Sequence, residues 1–393
     1  MQPLDDIRVL DVSRVYAAPA GAMTLGDLGA DVIRVEPPGG SDSMRDWGPF
    51  VEGESTYYMS ANRNKRSVTI NLKDPEGKRL FLDLVKTADV VIENFKTGTM
   101  ENLGVGYETL KEENPGIILC SVTGFGHTGP LSRNPGFDPV IQAMSGLIDV
   151  TGHPDKEGTK VGIPIADIIT SSYVVIGVLA ALRQRERTGE GQAIDLSLLD
   201  VQMASMANVG SAYLNTGMVS KRLGNQHNNV TPYQVFQTAD DPIMICAGND
   251  GLFAKLADLL GHPEWATDPQ YRTNADRKKN EKEIVSNIQE LLYGKKSDEW
   301  LTLLQKAGVP AGRVNTISQA LEQEQVVARG GVESVKHPKA GEIKLLASPL
   351  RFSNLGIETR LPPPGLGEHN EEVFGELYQC ATDEYKAVGQ GKG

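Results

Sequence analysis

Three observations make this chain an α/β protein. Short Val/Ile-rich runs recur through the first 125 residues, helix-forming stretches separate them, and capping residues stand where those stretches start or stop. Strands apolar at nearly every position are buried on both faces, which implies a parallel sheet covered by helices on each side. Right-handed crossovers are then the default.

Residues 7–12 are a β-rich run ending at Ser13, and residues 17–28 are an Ala/Leu-rich helix that stops at Gly29, a C-cap signal. Residues 31–35 are the next strand and 67–72 the one after. Asp74-Pro75-Glu76 then opens a helix, with a capping Asp and Pro at the first helical position. Residues 88–93 and 116–122 complete the strands. From Asp167 to about Thr216 two long helical patterns are expected, separated by residues 188–191. Residues 221–229 are polar and read as a linker. A smaller α+β domain follows over 221–324, with amphipathic helices at 281–292 and 298–306. The large Rossmann-like domain therefore spans 1–220 and is completed by 325–393, where short strands, Pro362-Pro363-Pro364-Gly365 and two terminal helices are expected.

Composition sets the outer bounds. At 393 residues, 39% hydrophobic and 23% charged, the chain fits a globular protein with a large core. Its apolar stretches are broken before about 18 residues, so no membrane span is expected. Residues 1–6 lack the basic and apolar regions of a secretory signal. Cys120, Cys246 and Cys380 are scattered and odd in number, which points to a reducing cytoplasm rather than a disulfide framework. A net charge of −12 weighs against nucleic acid as a partner.

In parallel sheets ligands sit beyond the C-terminal strand ends. Those ends here supply Arg14, Tyr16, Arg34, Lys73, Asn94, Phe95, Lys96, Gly124 and Phe125, a mix that suits phosphates and a planar ring. Neither a dinucleotide fingerprint nor a P-loop is present. The six histidines show no metal-binding spacing, so no metal is expected. A serine nucleophile elbow is also lacking.

Asp167 is the residue with the most chemical content, because it enters a long, mostly apolar helical run. As a helix cap it would contribute about 1 kcal/mol and no chemistry. As a nucleophile it could attack an acyl carbon and form an anhydride, provided water is kept out. Local sequence leaves both readings open.

The combination resembles the class III CoA-transferases. The residues that carry the likeness are 11–15 with 26–36, 62–67, Glu93-Asn94-Phe95 and 123–130, then Arg222-Leu223-Gly224-Asn225 and 231–236. The resemblance implies an acyl-CoA substrate and Asp167 as the catalytic aspartate. It implies CoA contacts at Arg34, Lys73, Asn94, Phe95 and Lys96, through phosphates and adenine. Val15 and Tyr16 would line the thioester, and Ile70, Gly124, Phe125 and Asp138 would also border the CoA site. Tyr16 stands where formyl-CoA transferases carry Gln, which argues against formate or oxalate chemistry. Asn102 falls where many relatives have Arg. Residues 248–251 resemble a glycine-containing loop that covers the active site in relatives.

The likeness extends to α-methylacyl-CoA racemases, which use a His–Asp pair. Their His would stand in residues 135–139, where this chain has Phe137, and Phe cannot exchange a proton. A transferase acting on dicarboxylates with succinyl-CoA is therefore expected. Residues 53–58 and 308–310 support that branch. A racemase, or a non-catalytic CoA-binding subunit of a heteromer, is the alternative. The resemblance also implies a ring-like chain and an interlocked homodimer.

Overall fold

The computed structural model describes residues 2–378. Two compact units are present. The larger takes residues up to 145, then 161–207 and the chain from 324 onward; the smaller takes 146–160 and 208–323.

In the larger unit six strands form one parallel sheet: β1 (Arg8–Asp11), β2 (Asp31–Glu36), β3 (Lys65–Thr69), β4 (Val90–Glu93), β5 (Ile118–Thr123) and β6 (Ala193–Ser197). Their order is β3-β2-β1-β4-β5-β6. Successive residues feed opposite faces. Val9, Val32 and Val90 join one core, while Leu10, Ile33 and Val91 join the other. This two-sided burial is why the strands read as unbroken apolar runs.

Helix α1 (Ala17–Asp27) and α2 (Pro75–Val85) cover opposite faces. Asp74 caps α2 by accepting from the Glu76 N–H, with Pro75 in the first turn. Three further helices bear on the site: α3 (Asp138–Met144), α4 (Ile165–Thr188) and α5 (Leu198–Ala204). Ala18, Ala22 and Leu25 of α1 share a core with Val174, Val178 and Ala181 of α4. The two helices approach so closely that a Cβ on Gly21 would lie 2.7 Å from Val174 Cγ1.

Three sequence-based expectations need correction. Residues 193–197 were expected to be helical but form β6, an edge strand whose exposure alternates along its length. Ile194 and Leu196 mark its inner face, a period of two too short to stand out between two helices. Helix α4 is long and apolar enough to cross a membrane, with a window of mean hydropathy 2.0. Its apolar stretch is thus not broken as expected, but Val174, Val178 and Leu182 of the same helix are core residues beside α1. The smaller unit also starts earlier than residue 221 and includes 146–160. Arg222 binds the Asp149 carboxylate at 2.9 Å, and the Gly224 N–H donates to the Gly152 carbonyl.

The smaller unit has an antiparallel sheet of β7 (Tyr233–Phe236), β8 (Ile243–Cys246) and β9 (Ala311–Arg313). Helices α6 (Asp250–Leu259), α7 (Glu281–Leu292) and α8 (Ser297–Ala307) complete it. Phe236, Ile245, Phe253 and Trp300 share its core. Asn249, in the expected glycine-containing loop, caps α6. The chain then returns to the larger unit through the hairpin of β10 (Val332–His337) and β11 (Gly341–Leu346). Of the expected terminal helices, residues 370–378 are helical; the rest, with Cys380, lies outside the described residues.

A buried ion network joins the ends of β1 and β2 to the first residue of β3. Arg34 is fully buried and donates to Asp11 at 3.1 Å, to Glu36 at 3.2 Å and to Asp42. Lys65 Nζ reaches Asp11 at 2.8 Å, the Pro19 carbonyl at 2.8 Å and Asn62 Oδ1 at 2.9 Å. Arg45 closes the set by holding Glu36 at 2.6 Å and the Tyr58 hydroxyl at 2.7 Å. Burial pushes the Asp11 carboxyl up, but Lys65 and Arg34 outweigh it and keep it below the usual range. Burial brings Lys65 down to about 8 despite Asp11.

Removing one partner of such a network strands buried charge. Arg34→Met is expected to lower unfolding free energy by about 3–5 kcal/mol in urea titrations, whereas Arg183→Ala, in an exposed pair with Glu186, changes it by under ~0.5 kcal/mol.

Candidate active site

The strand order reverses direction between β1 and β4, the point at which open α/β sheets bind ligands. The loops leaving those two strands meet there. The Arg14 N–H donates to Asn94 Oδ1 at 2.8 Å, and Asn94 Nδ2 donates to the Arg14 carbonyl at 2.6 Å. The Val15 N–H donates to Asp42 Oδ1 at 3.1 Å. Asp42 in turn belongs to the Arg34 network. Val15, a β-branched residue, is held at φ +63, a left-handed conformation it would not adopt unaided.

A cleft of about 720 Å³ opens beside this loop. Its walls bring together Val15, Tyr16, Ile70, Lys73, Asn94, Phe95, Lys96, Gly124, Asp138 and Asp167. Val12, Val35, Leu72 and Leu198 add apolar surface. Lys73 and Lys96 are exposed on its rim. The backbone crosses itself here: a Cβ on Gly124 would lie 2.5 Å from Gly136 Cα, so neither position admits a side chain.

Three expected residues are not ligand contacts in this arrangement. Arg34 is fully buried with its guanidinium committed to three carboxylates, so it positions the Val15 loop instead. Asn102 is exposed and outside the cleft lining, although Thr99 and Leu103 of the same short helix line it. Phe125 packs against the core instead of the cleft. Asn94 does line the cleft, but its amide clamps the Arg14 backbone.

Arg14 stood among the strand-end residues of the sequence but not among the CoA contacts that the resemblance implied. Arg14 lines the cleft, its guanidinium lies 5.0 Å from the Phe95 ring centroid, and its buried Nε has no partner. An Arg beside an aromatic at a strand end was the available signal. The aromatic group of Tyr16, Tyr57 and Trp47 was also missed. Tyr57 packs edge-on to Tyr16 at 6.1 Å and to Trp47 at 5.3 Å.

The first turn of α4 bears on the cap reading of Asp167. Pro164 stands at the cap position and provides no side-chain bond. The capping carboxylate comes from α3: Asp138 Oδ2 accepts the Ala166 N–H at 2.8 Å. Asp138 Oδ1 accepts from Gln142 Nε2 at 2.6 Å, and Gln142 Oε1 accepts from the Val161 N–H at 2.8 Å. Asp167 is thus relieved of capping. It is 9% exposed, lines the cleft, and its carboxylate accepts no hydrogen bond among the described residues. Burial, and then the charge of Asp138, push its pKa up to about 7. Burial and the charge of Asp167 also raise the phenols of Tyr16 and Tyr57, which keeps them protonated as donors. No cleft-lining residue is a histidine, and Phe137 lines it where a racemase would need one.

A family model described as CoA-transferase family III matches residues 4–370. The chain belongs to this family. The succinate–glutarate CoA-transferase of Agrobacterium fabrum is 43% identical over 384 residues, covering 95% of this chain and 96% of that one. The succinyl-CoA:glutarate CoA-transferase of Mus musculus is 40% identical over 378 residues, 96% of this chain and 87% of its own length. The crystal structure of a CAIB/BAIF family protein from Brucella suis superposes with a TM-score of 0.85 at 42% identity, covering 96% of this chain and 99% of that one. This protein is accordingly an enzyme that transfers coenzyme A. Its cleft fits such a substrate, with cations for phosphates and an aromatic for a purine.

The raised pKa of Asp167 has a stability consequence. Below its ordinary value of 3.8 the carboxyl is protonated folded or unfolded. Between there and about 7 the unfolded chain ionises first, so wild-type stability falls as pH rises, and the loss is complete above 7. Asp167→Asn escapes it. The variant's advantage over wild type in urea midpoint is expected to grow from pH 5 to pH 7.5 and then level off.

Proposed function

We propose that Asp167 is the nucleophile and that the enzyme moves CoA from succinyl-CoA to a dicarboxylic acid. The observation that carries this reading is the buried, unbonded Asp167 carboxylate in a CoA-sized cleft. The names of the relatives support the donor and the class of acceptor.

Asp167 attacks the thioester carbonyl, giving an aspartyl anhydride and CoA thiolate. The thiolate attacks the aspartyl carbonyl, which frees the donor acid and leaves an aspartyl-CoA thioester. The acceptor carboxylate attacks that thioester, forming a second anhydride and releasing thiolate. The thiolate then attacks the acceptor's acyl carbon, which yields the new CoA ester and regenerates Asp167. A dry site protects the anhydrides from water. An unsolvated carboxylate is also a stronger nucleophile, because no hydrogen bond must be broken first. Arg14, Lys73 and Lys96 are assigned to the nucleotide phosphates and adenine, with Phe95 and Ile70 against the ring. Val15, Tyr16, Gly124 and Asp138 are assigned to the thioester side of the cleft.

We propose a cytoplasmic homodimer. Tyr173, Ile176 and Leu179 expose an apolar stripe on α4, a surface suited to a second copy. Sedimentation equilibrium should return twice the chain mass.

Incubation with succinyl-CoA and hydroxylamine tests the mechanism. A hydroxamate on the peptide carrying Asp167 is expected, and Asp167→Ala should abolish both the adduct and CoA exchange. Tight CoA binding with neither adduct nor exchange would point instead to a non-catalytic partner subunit. Attack requires the carboxylate, so kcat/KM for the acyl-CoA should rise with pH through about 7. Asp138→Asn removes the neighbouring charge and should move that limb to lower pH.

A further inference from the structure

A second cavity of about 310 Å³ lies in the larger unit, and Tyr16 lines both it and the CoA cleft. Its other walls are the segment from Thr56 to Arg63 and strand β11. Met59, Ile343 and Leu345 give it aliphatic surface fit for methylenes. Tyr16 supplies a hydroxyl that stays protonated because burial and then the charge of Asp167 raise its pKa, and the Ser60 hydroxyl beside it donates to the Tyr57 carbonyl at 2.7 Å.

The cations of this cavity differ in availability. Arg63 is committed: Nε and Nη2 hold Asp27 at 2.9 and 2.6 Å, and Nη1 donates to the Leu346 carbonyl at 2.8 Å. Lys344 lines the cavity, is exposed, and forms no ion pair among the described residues. Glu342, the anion in the lining, lies opposite Lys336 in the hairpin register.

Asp167 and Tyr16 line the same cleft, and Tyr16 also lines this cavity, so an acyl group on Asp167 shares a wall with it. The far carboxylate of a dicarboxylic acyl group is fully charged and needs a counter-ion once it leaves water. We propose that the cavity lined by Tyr16, Ser60 and Lys344 receives the free carboxylate of the dicarboxylic acyl group, with Lys344 as its counter-ion. The inference rests on Asp167 being the acylated residue. It makes the cavity the part of the enzyme that separates dicarboxylic from monocarboxylic substrates. Donor and acceptor use it in turn, since each carries a carboxylate at the unreacted end.

Binding of succinyl-CoA, butyryl-CoA and free CoA is measured by calorimetry in an Asp167→Asn background, where acyl-CoA is not consumed. Lys344→Met added to it should weaken succinyl-CoA by about tenfold, the size of one charge-assisted hydrogen bond, and leave butyryl-CoA and CoA unchanged. Lys344→Arg should restore most of the loss. Unchanged succinyl-CoA binding, or equal weakening of all three, overturns the proposal. Hydroxylamine trapping on the otherwise wild-type chain decides the Asp167 reading separately, because the calorimetry needs no turnover.

Discussion

Everything at the site hangs from the buried guanidinium of Arg34. Its three carboxylates come from β1, from the end of β2 and from the loop after it, so one side chain ties the adjacent strands to that loop. Asp42 passes the constraint on by accepting the Val15 N–H. Asn94 fastens the other side of the same loop from β4. A Val at φ +63 is strained, and it persists because these bonds over-determine its backbone. Tyr16 follows this residue directly and lines the same cleft as Asp167.

The same cleft shows how carboxylates of one chemical type are given different roles. Asp11 is buried beside Lys65 and Arg34, so its charge is matched and its pKa falls. Asp138 is buried but accepts from the Ala166 N–H and from Gln142, which satisfies it as a structural cap. Among the described residues Asp167 receives neither cation nor donor, and burial and then the nearby Asp138 charge oppose its ionisation. What sets Asp167 apart is what the fold withholds from it. A helix start would normally bind its own first-turn carboxylate; α4 does not, because α3 has already supplied one.

Much of the fold was legible in the sequence, and the reason is two-sided burial. Four of the six strands in the sheet stand out as Val/Ile-rich runs, β3 overlaps its expected run only over residues 67–69, and Asp74-Pro75 and Gly29 mark helix ends through local chemistry. β6 was not legible, because an edge strand buries one face and leaves only Ile194 and Leu196 as signal. Site residues were legible where chain position sufficed: Lys73, Phe95, Lys96 and Asp167 all line the cleft. Arg34 was not, since a sequence shows a charge at a strand end but not whether carboxylates surround it. Asp167 stayed ambiguous for the same reason, as its freedom is set by Asp138, 29 positions away in the chain.

Tyr16 connects these points. It follows the strained Val15, burial and then the charge of Asp167 keep its phenol protonated, and it lines both cavities. A glutamine in its place would offer an amide without the ring that packs edge-on against Tyr57. The ring fixes where the hydroxyl points, and an aromatic loses little conformational entropy on being held. A donor held that rigidly beside the reacting carboxylate can respond to charge as it develops without reorganising. The buried network therefore does more than stabilise the sheet. By fixing the backbone two residues before α1, it sets the position of Tyr16, whose side chain lines both the cleft that holds Asp167 and the second cavity.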